Sequence, residues 1–165
     1  MSASEPIQEV RLQYIRPSIT SMPQITCTDD TVAILRSFID PQRIDLKEFF
    51  WVILLTFSHH VLGVSEIAIG DICEVSINKK EIFQLALLTH ASSIILCHNH
   101  PSGNFMPSES DVTLTNDLVL FGSLIDLKIV DHLILTTEGY YSFADNSLPI
   151  KQRRPTKKAV SIKFS

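Results

Sequence analysis

His98-Asn99-His100-Pro101, with Ser108 and Asp111 just downstream, brings two imidazoles and a carboxylate into one short stretch. Imidazole nitrogen and carboxylate oxygen are zinc ligands, and a hydrolytic site keeps three protein ligands with a fourth position for water. Residues 92–98, Ser-Ser-Ile-Ile-Leu-Cys-His, are apolar and partly β-branched and predict a strand running into the loop Asn-His-Pro-Ser-Gly. Side chains alternate along a strand, so His98 and His100 point the same way if extended geometry persists through Asn99, as it tends to before Pro101. Pro107-Ser108-Glu109-Ser110-Asp111 predicts a helix start, with Val112, Leu114, Leu118 and Val119 as the apolar positions behind it. Asp111 then sits in a first helical turn facing back over the loop. His98, His100 and Asp111 are the expected ligands of a hydrolytic Zn2+ site. Two plainer readings compete with it. Ser108-x-x-Asp111 also satisfies a capping box, and a His-x-His pair in a turn is compatible with simple solvent exposure.

The elements that must position these residues follow from periodicity. Residues 28–40 carry Val32, Ile34, Leu35, Phe38 and Ile39 at helical spacing behind the capping candidates Asp29, Asp30 and Thr31. Strands are expected at 49–57 and 61–69, parted by a turn at Ser58-His59-His60 whose histidines belong in solvent. A short strand is expected near 73–77 and a helix over 79–91, leading into the strand that carries the histidines. A helix over 108–126, a strand at 128–136, a turn at Glu138-Gly139 and a last strand at 140–143 complete the chain. This order predicts an α/β fold, a single mixed β-sheet flanked by helices. Cys97 adjoins His98, but alternation sends it to the opposite face and into the core. His90 suits the negative end of the preceding helix. Asp131-His132 fits a core role; the alternative makes Asp131 the acceptor for the second N–H of a metal-bound imidazole.

The string His-x-His-Pro, six residues, Ser, two residues, Asp resembles the JAMM metalloprotease motif of the JAB/MPN domain. His98-Asn99-His100-Pro101-Ser102-Gly103, Val130-Asp131-His132-Leu133-Ile134 and Tyr140-Tyr141-Ser142-Phe143 are similar to the RadC branch of that family. The resemblance covers about residues 25–146 and implies the JAB/MPN fold and amide hydrolysis by a zinc-activated water. It further implies a glutamate upstream, at the start of a hydrophobic strand, that takes a proton from that water. Glu48, ahead of Phe49-Phe50-Trp51-Val52-Ile53-Leu54-Leu55, matches that position, with Glu66 and Glu81 as fallbacks. Ser108 matches the serine that donates a hydrogen bond to the developing oxyanion. Deubiquitinase-type members usually carry Ser or Thr between the histidines. Asn99 departs from that and puts isopeptidase specificity toward ubiquitin-like proteins in doubt, but not the metal. Many RadC proteins carry a helix-hairpin-helix region ahead of this domain, for which residues 1–24 leave no room, so a short form is expected.

With 165 residues, 45% of them hydrophobic, the chain can bury a full core without disulfides. It has no apolar run long enough to span a bilayer and no signal-peptide pattern. Its three cysteines, Cys27, Cys73 and Cys97, form no Cys-x-x-Cys pair, and a cytoplasmic location is expected. The expected organisation is an arm over 1–24, the catalytic domain over 25–146 and a basic tail over 147–165. Lys151, Arg153, Arg154, Lys157, Lys158 and Lys163 stand in that tail without an acid. The other eight basic residues face all 18 acidic ones, a net −10 that would repel nucleic acid. The tail can add weak DNA contacts, although solvated disorder is its default. The expected partner is a protein or peptide substrate. Membranes are excluded, and an exposed sheet edge can pair two copies as a homodimer. The reading from another class is a non-catalytic protein-interaction or DNA-associated module on the same scaffold, with a metal-dependent nuclease disfavoured by the acidic body.

Overall fold

Seven consecutive apolar residues, Phe49–Leu55, are all buried, which requires a strand covered on both faces. The computed structural model describes residues 13–70 and 77–146 and supplies those two covers. Its strands are β1 (Phe49–Leu55), β2 (Val61–Ile69), β3 (Ser93–Asn99), β4 (Lys128–Leu135) and β5 (Tyr140–Ser142). Its helices are α1 (Thr28–Phe38), α2 (Lys79–Leu88) and α3 (Glu109–Ser123). The sheet runs β2-β1-β3-β4-β5 and is mixed: only β3 and β4 are parallel. This is the expected α/β architecture.

Period-2 alternation splits the core. Trp51, Ile53 and Leu55 join Ile95, Cys97 and Leu133 under Val32, Leu35 and Ile39 of the α1 segment. Phe50, Val52 and Leu54 join Ile94 and Leu96 under Ile82 and Ala86 of α2 and Leu118 and Val119 of α3. Cys97 is on the α1 side, as alternation requires, and burial pushes its thiol well above the usual range. His98 points the other way.

Several element ends fall short of their expected positions for local reasons. Helix α1 stops at Phe38 because Ile39 and Asp40 turn extended ahead of Pro41. Its N-cap is Cys27, and Asp30 reaches back to the Cys27 and Thr26 N–H groups. Strand β1 ends at Leu55, where Thr56 and His60 close a turn through His59, whose φ of 59° is left-handed. Helix α2 stops at Leu88 and is followed by left-handed His90, and α3 ends at Ser123 shortly before left-handed Asp126. The expected strand near 73–77 falls almost wholly outside the described residues, as does the basic tail.

Of the expected arm, residues 13–24 run along the start of β2. Gln24 bridges His60, and the Tyr14 hydroxyl donates to the Leu62 carbonyl at 2.8 Å. No helix among the described residues is long and apolar enough to cross a membrane.

Gly122 lets α3 approach the start of β4. A Cβ there would lie 2.6 Å from the backbone oxygen of Leu127. Since backbone cannot swing aside as a side chain can, Gly122→Ala is expected to cost about 1–3 kcal/mol in urea denaturation.

Candidate metal centre

The site is built where the carboxyl end of β3 meets the N-terminus of α3. Strand alternation carries His98 to the α3 side, and the His100 N–H bonds to the Leu135 carbonyl at 3.0 Å, extending the sheet past Asn99. Gly103, at φ 77°, closes the turn in a left-handed conformation natural to glycine. The His100 ring is thereby fixed with Nδ1 2.6 Å from the Asn104 carbonyl. The two Nε2 atoms come to 3.0 Å from each other.

Asp111 is the third helical residue of α3, held by a capping box with Ser108. Its Oδ2 accepts from the Ser108 N–H at 2.7 Å and from the Ser108 hydroxyl at 2.6 Å. The same carboxylate reaches His98 Nε2 at 3.1 Å through Oδ1 and His100 Nε2 at 3.6 Å through Oδ2. Burial pushes the Asp111 carboxyl up, but the facing His100 and His98 imidazoles and the Ser108 hydroxyl outweigh it and hold the group below the usual carboxylate range. The facing Asp111 carboxylate conversely raises His100 above the ordinary histidine value.

These distances test whether the residues fit zinc. Ligand atoms 2.0–2.1 Å from a tetrahedral Zn2+ stand about 3.3 Å from one another. The His98–His100 separation of 3.0 Å and the Asp111 approaches of 3.1 Å through Oδ1 and 3.6 Å through Oδ2 bracket that edge, the last two through different oxygens of one carboxylate.

Glu48 lies on the loop before β1, half-buried, with a carboxylate oxygen within 4.8 Å of both histidine ligand atoms. Burial raises its pKa, partly countered by His98 and His100. The loop is tied down from β3. Asn99 Oδ1 accepts from the Phe49 N–H at 2.7 Å, while Nδ2 donates to the Ile44 carbonyl at 2.6 Å and the Lys47 carbonyl at 2.7 Å. The residue between the histidines therefore positions the loop that carries Glu48. Asn99→Leu strands these backbone groups, and a loss of about 3 kcal/mol is expected in chemical denaturation.

The fallback glutamates are elsewhere. Glu66 is engaged by the Arg43 guanidinium at 3.0 and 3.1 Å and by Trp51 Nε1 at 3.2 Å. Glu81 occupies the first turn of α2, beside the Asn78 N-cap. Neither joins the histidine cluster among the described residues.

Of the two readings of Asp131-His132, Asp131 follows the expected core role and not the alternative. Asp131 accepts no hydrogen bond from a site imidazole. Its carboxylate takes the Ser142 hydroxyl at 2.6 Å and the Ala144 N–H at 2.9 Å, on the α1 side of β4. Alternation puts its neighbour on the site side, and His132 Nε2 lies 2.8 Å from His98 Nδ1. His132 is both a core residue and a partner of the site. Thr115, which sequence reasoning passed over, contacts the other side of that ring; its place four residues after Asp111 on one helix face was the available signal.

The cluster opens into a cleft of about 740 Å³, whose rim includes Asp45, Leu46, Lys79, Met106 and Leu114. Ser108 also lines it.

A sequence model of the RadC-like JAB domain matches residues 25–148. The chain belongs to the RadC-like JAB domain family. Its RadC-like relatives include a UPF0758 protein of Flavobacterium johnsoniae, 35% identical over 130 residues, covering 79% of this chain and 56% of the relative. A UPF0758 protein of Thermosynechococcus vestitus is 39% identical over 108 residues, covering 66% and 43%. One from Coxiella burnetii is 31% identical over 140 residues, covering 85% and 61%. The chain thus spans about half the length of these relatives. JAB/MPN domains include metallohydrolases, and the histidine and glutamate cluster is a group able to hold a metal ion.

Proposed function

We propose that this RadC-like domain is a zinc-dependent hydrolase that cleaves a peptide or isopeptide-type amide. The observation that carries the reading is the convergence of His98 Nε2, His100 Nε2 and the Asp111 carboxylate within 3.0–3.6 Å of one another, with the Glu48 carboxylate near both histidines in the lining of an open cleft. His98, His100 and Asp111 would hold the metal. Bound there, zinc would lower the pKa of a water to about 7 and polarise a carbonyl. Glu48 takes the proton from the attacking water and returns it to the leaving amine, a task its raised pKa favours. Ser108 turns its hydroxyl from Asp111 toward the carbonyl oxygen as negative charge develops there.

Zinc content per chain, by elemental mass spectrometry after zinc is offered at neutral pH, tests the metal, and a pooled library of peptides and lysine conjugates tests the turnover. Near one zinc with cleavage supports the reading. Zinc without cleavage moves the assignment to an interaction module, and no zinc removes the hydrolase. A role in DNA repair would rest on residues 151–165, outside the described residues, against an acidic body.

The pH dependence has a definite sign. His100 is raised in the folded protein, so in the metal-free state its proton contributes stability that is complete below about pH 6.5 and lost as pH rises through the raised value. Zinc competes for that same nitrogen. Melting of chelator-treated protein is expected to show stability falling as pH rises from about 6.5 toward 9, the side on which the buried, neutral His132 exerts no opposing pull, and zinc loading to rise over the same window.

A further inference from the structure

The direction of each hydrogen bond behind His98 can be worked out from one end. The Asp111 backbone carbonyl can only accept, and the Thr115 hydroxyl lies 2.6 Å from it. A hydroxyl has one proton. With that proton committed, Thr115 Oγ1 presents a lone pair to His132 Nδ1, also 2.6 Å away, so Nδ1 carries hydrogen. The His132 ring is fully buried, stacked on Phe143 at 4.8 Å and edge-on to Phe50 at 5.8 Å, with the Asp131 carboxylate turned to the other face of the sheet. A ring so placed is neutral, and its Nε2 is a bare lone pair. His98 Nδ1, 2.8 Å from it, must donate.

We infer that Thr115 and His132 are positioning residues that set the tautomer of His98 through a one-way chain from His98 Nδ1–H, through His132 and Thr115, to the carbonyl of Asp111. The consequence lies at the other edge of the ring, where His98 Nε2 is left without hydrogen. His100 reaches the same tautomer directly, because its Nδ1 faces the Asn104 carbonyl. Once His100 has lost its second proton, two imidazole lone pairs and a carboxylate face one point, an arrangement that a cation relieves. The chain also crosses three elements, β3, β4 and α3, and returns to Asp111, whose carboxylate is 3.1 Å from His98 Nε2. Two of the proposed ligands are thus linked through the interior as well as at the site.

The purpose assigned to this chain rests on the zinc reading above, whereas the tautomer can be measured without metal. In chelator-treated protein labelled with 15N-histidine, at about pH 9, long-range proton–nitrogen correlation shows which ring nitrogen bears hydrogen. The wild type and Thr115→Ser are expected to show His98 protonated at Nδ1 and bare at Nε2. Thr115→Val removes the hydroxyl at nearly constant volume. His132 is then released to the other tautomer, His98 moves its hydrogen to Nε2, and zinc affinity measured against a competing chelator falls about 10–100-fold, as for other partners of metal-bound imidazoles. Hydrogen on His98 Nε2 in the wild type overturns the inference, whatever the variants do. So does a folded Thr115→Val protein with the wild-type tautomer and affinity. The expected tautomers in a wild type that takes up no zinc would uphold the chain and reject the hydrolase reading instead.

Discussion

Glu48→Gln is expected to keep its zinc and lose hydrolysis by about 10²–10⁴-fold, the range for a positioned general base. The amide has nearly the shape of the carboxylate but cannot accept a proton from the attacking water or return it to the amine. His98, His100 and Asp111 are untouched by the change. Burial disfavours the charged form of Glu48 more than His98 and His100 favour it, so neutralising the side chain is expected to change stability little. The loss should therefore fall on kcat, with KM and zinc content close to wild type. Cleavage at the wild-type rate would exclude Glu48 as the base. Loss of zinc would instead make it a ligand, which its reach of less than 4.8 Å to the histidine atoms allows geometrically.

Asp111→Ala is expected to weaken zinc binding by more than the roughly 10–100-fold that outer partners of a ligand typically cost, leaving little zinc after gel filtration. Asp111 has two duties, and the substitution removes both. Its carboxylate faces both Nε2 atoms, and it also accepts from the Ser108 N–H and hydroxyl at the start of α3. Ser108 still caps the helix through the residue-111 N–H, and loss of the hydrogen bonds accepted by the carboxylate costs about 0.5–1.5 kcal/mol each. Asp111→Asn separates the duties: its side-chain oxygen can still serve the cap, while the charge that draws a cation is gone. Zinc loss in both variants with a stability loss mainly in the alanine one is the expected pattern. Full zinc occupancy in Asp111→Asn, measured by elemental mass spectrometry, would reduce Asp111 to a helix cap.

The competition between capping box and metal ligand at Ser108 and Asp111 shows how far local reading goes. The capping box is present as read, yet it does not displace the other role, because a carboxylate has lone pairs enough to take two hydrogen bonds from Ser108 and still face the imidazoles. The strand through His98, the opposite orientation of Cys97, the helix start at Ser108 and the place of Glu48 before β1 were all legible for a similar reason. Alternation, capping and the restriction before proline are properties of a few adjacent residues. Helix ends were less so, since the left-handed residues His90 and Asp126 carry no strong stop signal in their side chains.

The sequence by itself determined the candidate donor types, their common face and the layered α/β plan, because backbone period and side-chain chemistry are local. Only the tertiary structure decided that Asn99 ties down the loop of Glu48 across 50 residues of chain, and that His132 rather than Asp131 meets His98. The pairing of Leu96 with His132 depends on a register irregularity at Ile94 and Ile95. Thr115 enters only because α3 packs over that pair. Such contacts depend on register and on how layers stack, which the whole core sets together and no short stretch of residues encodes.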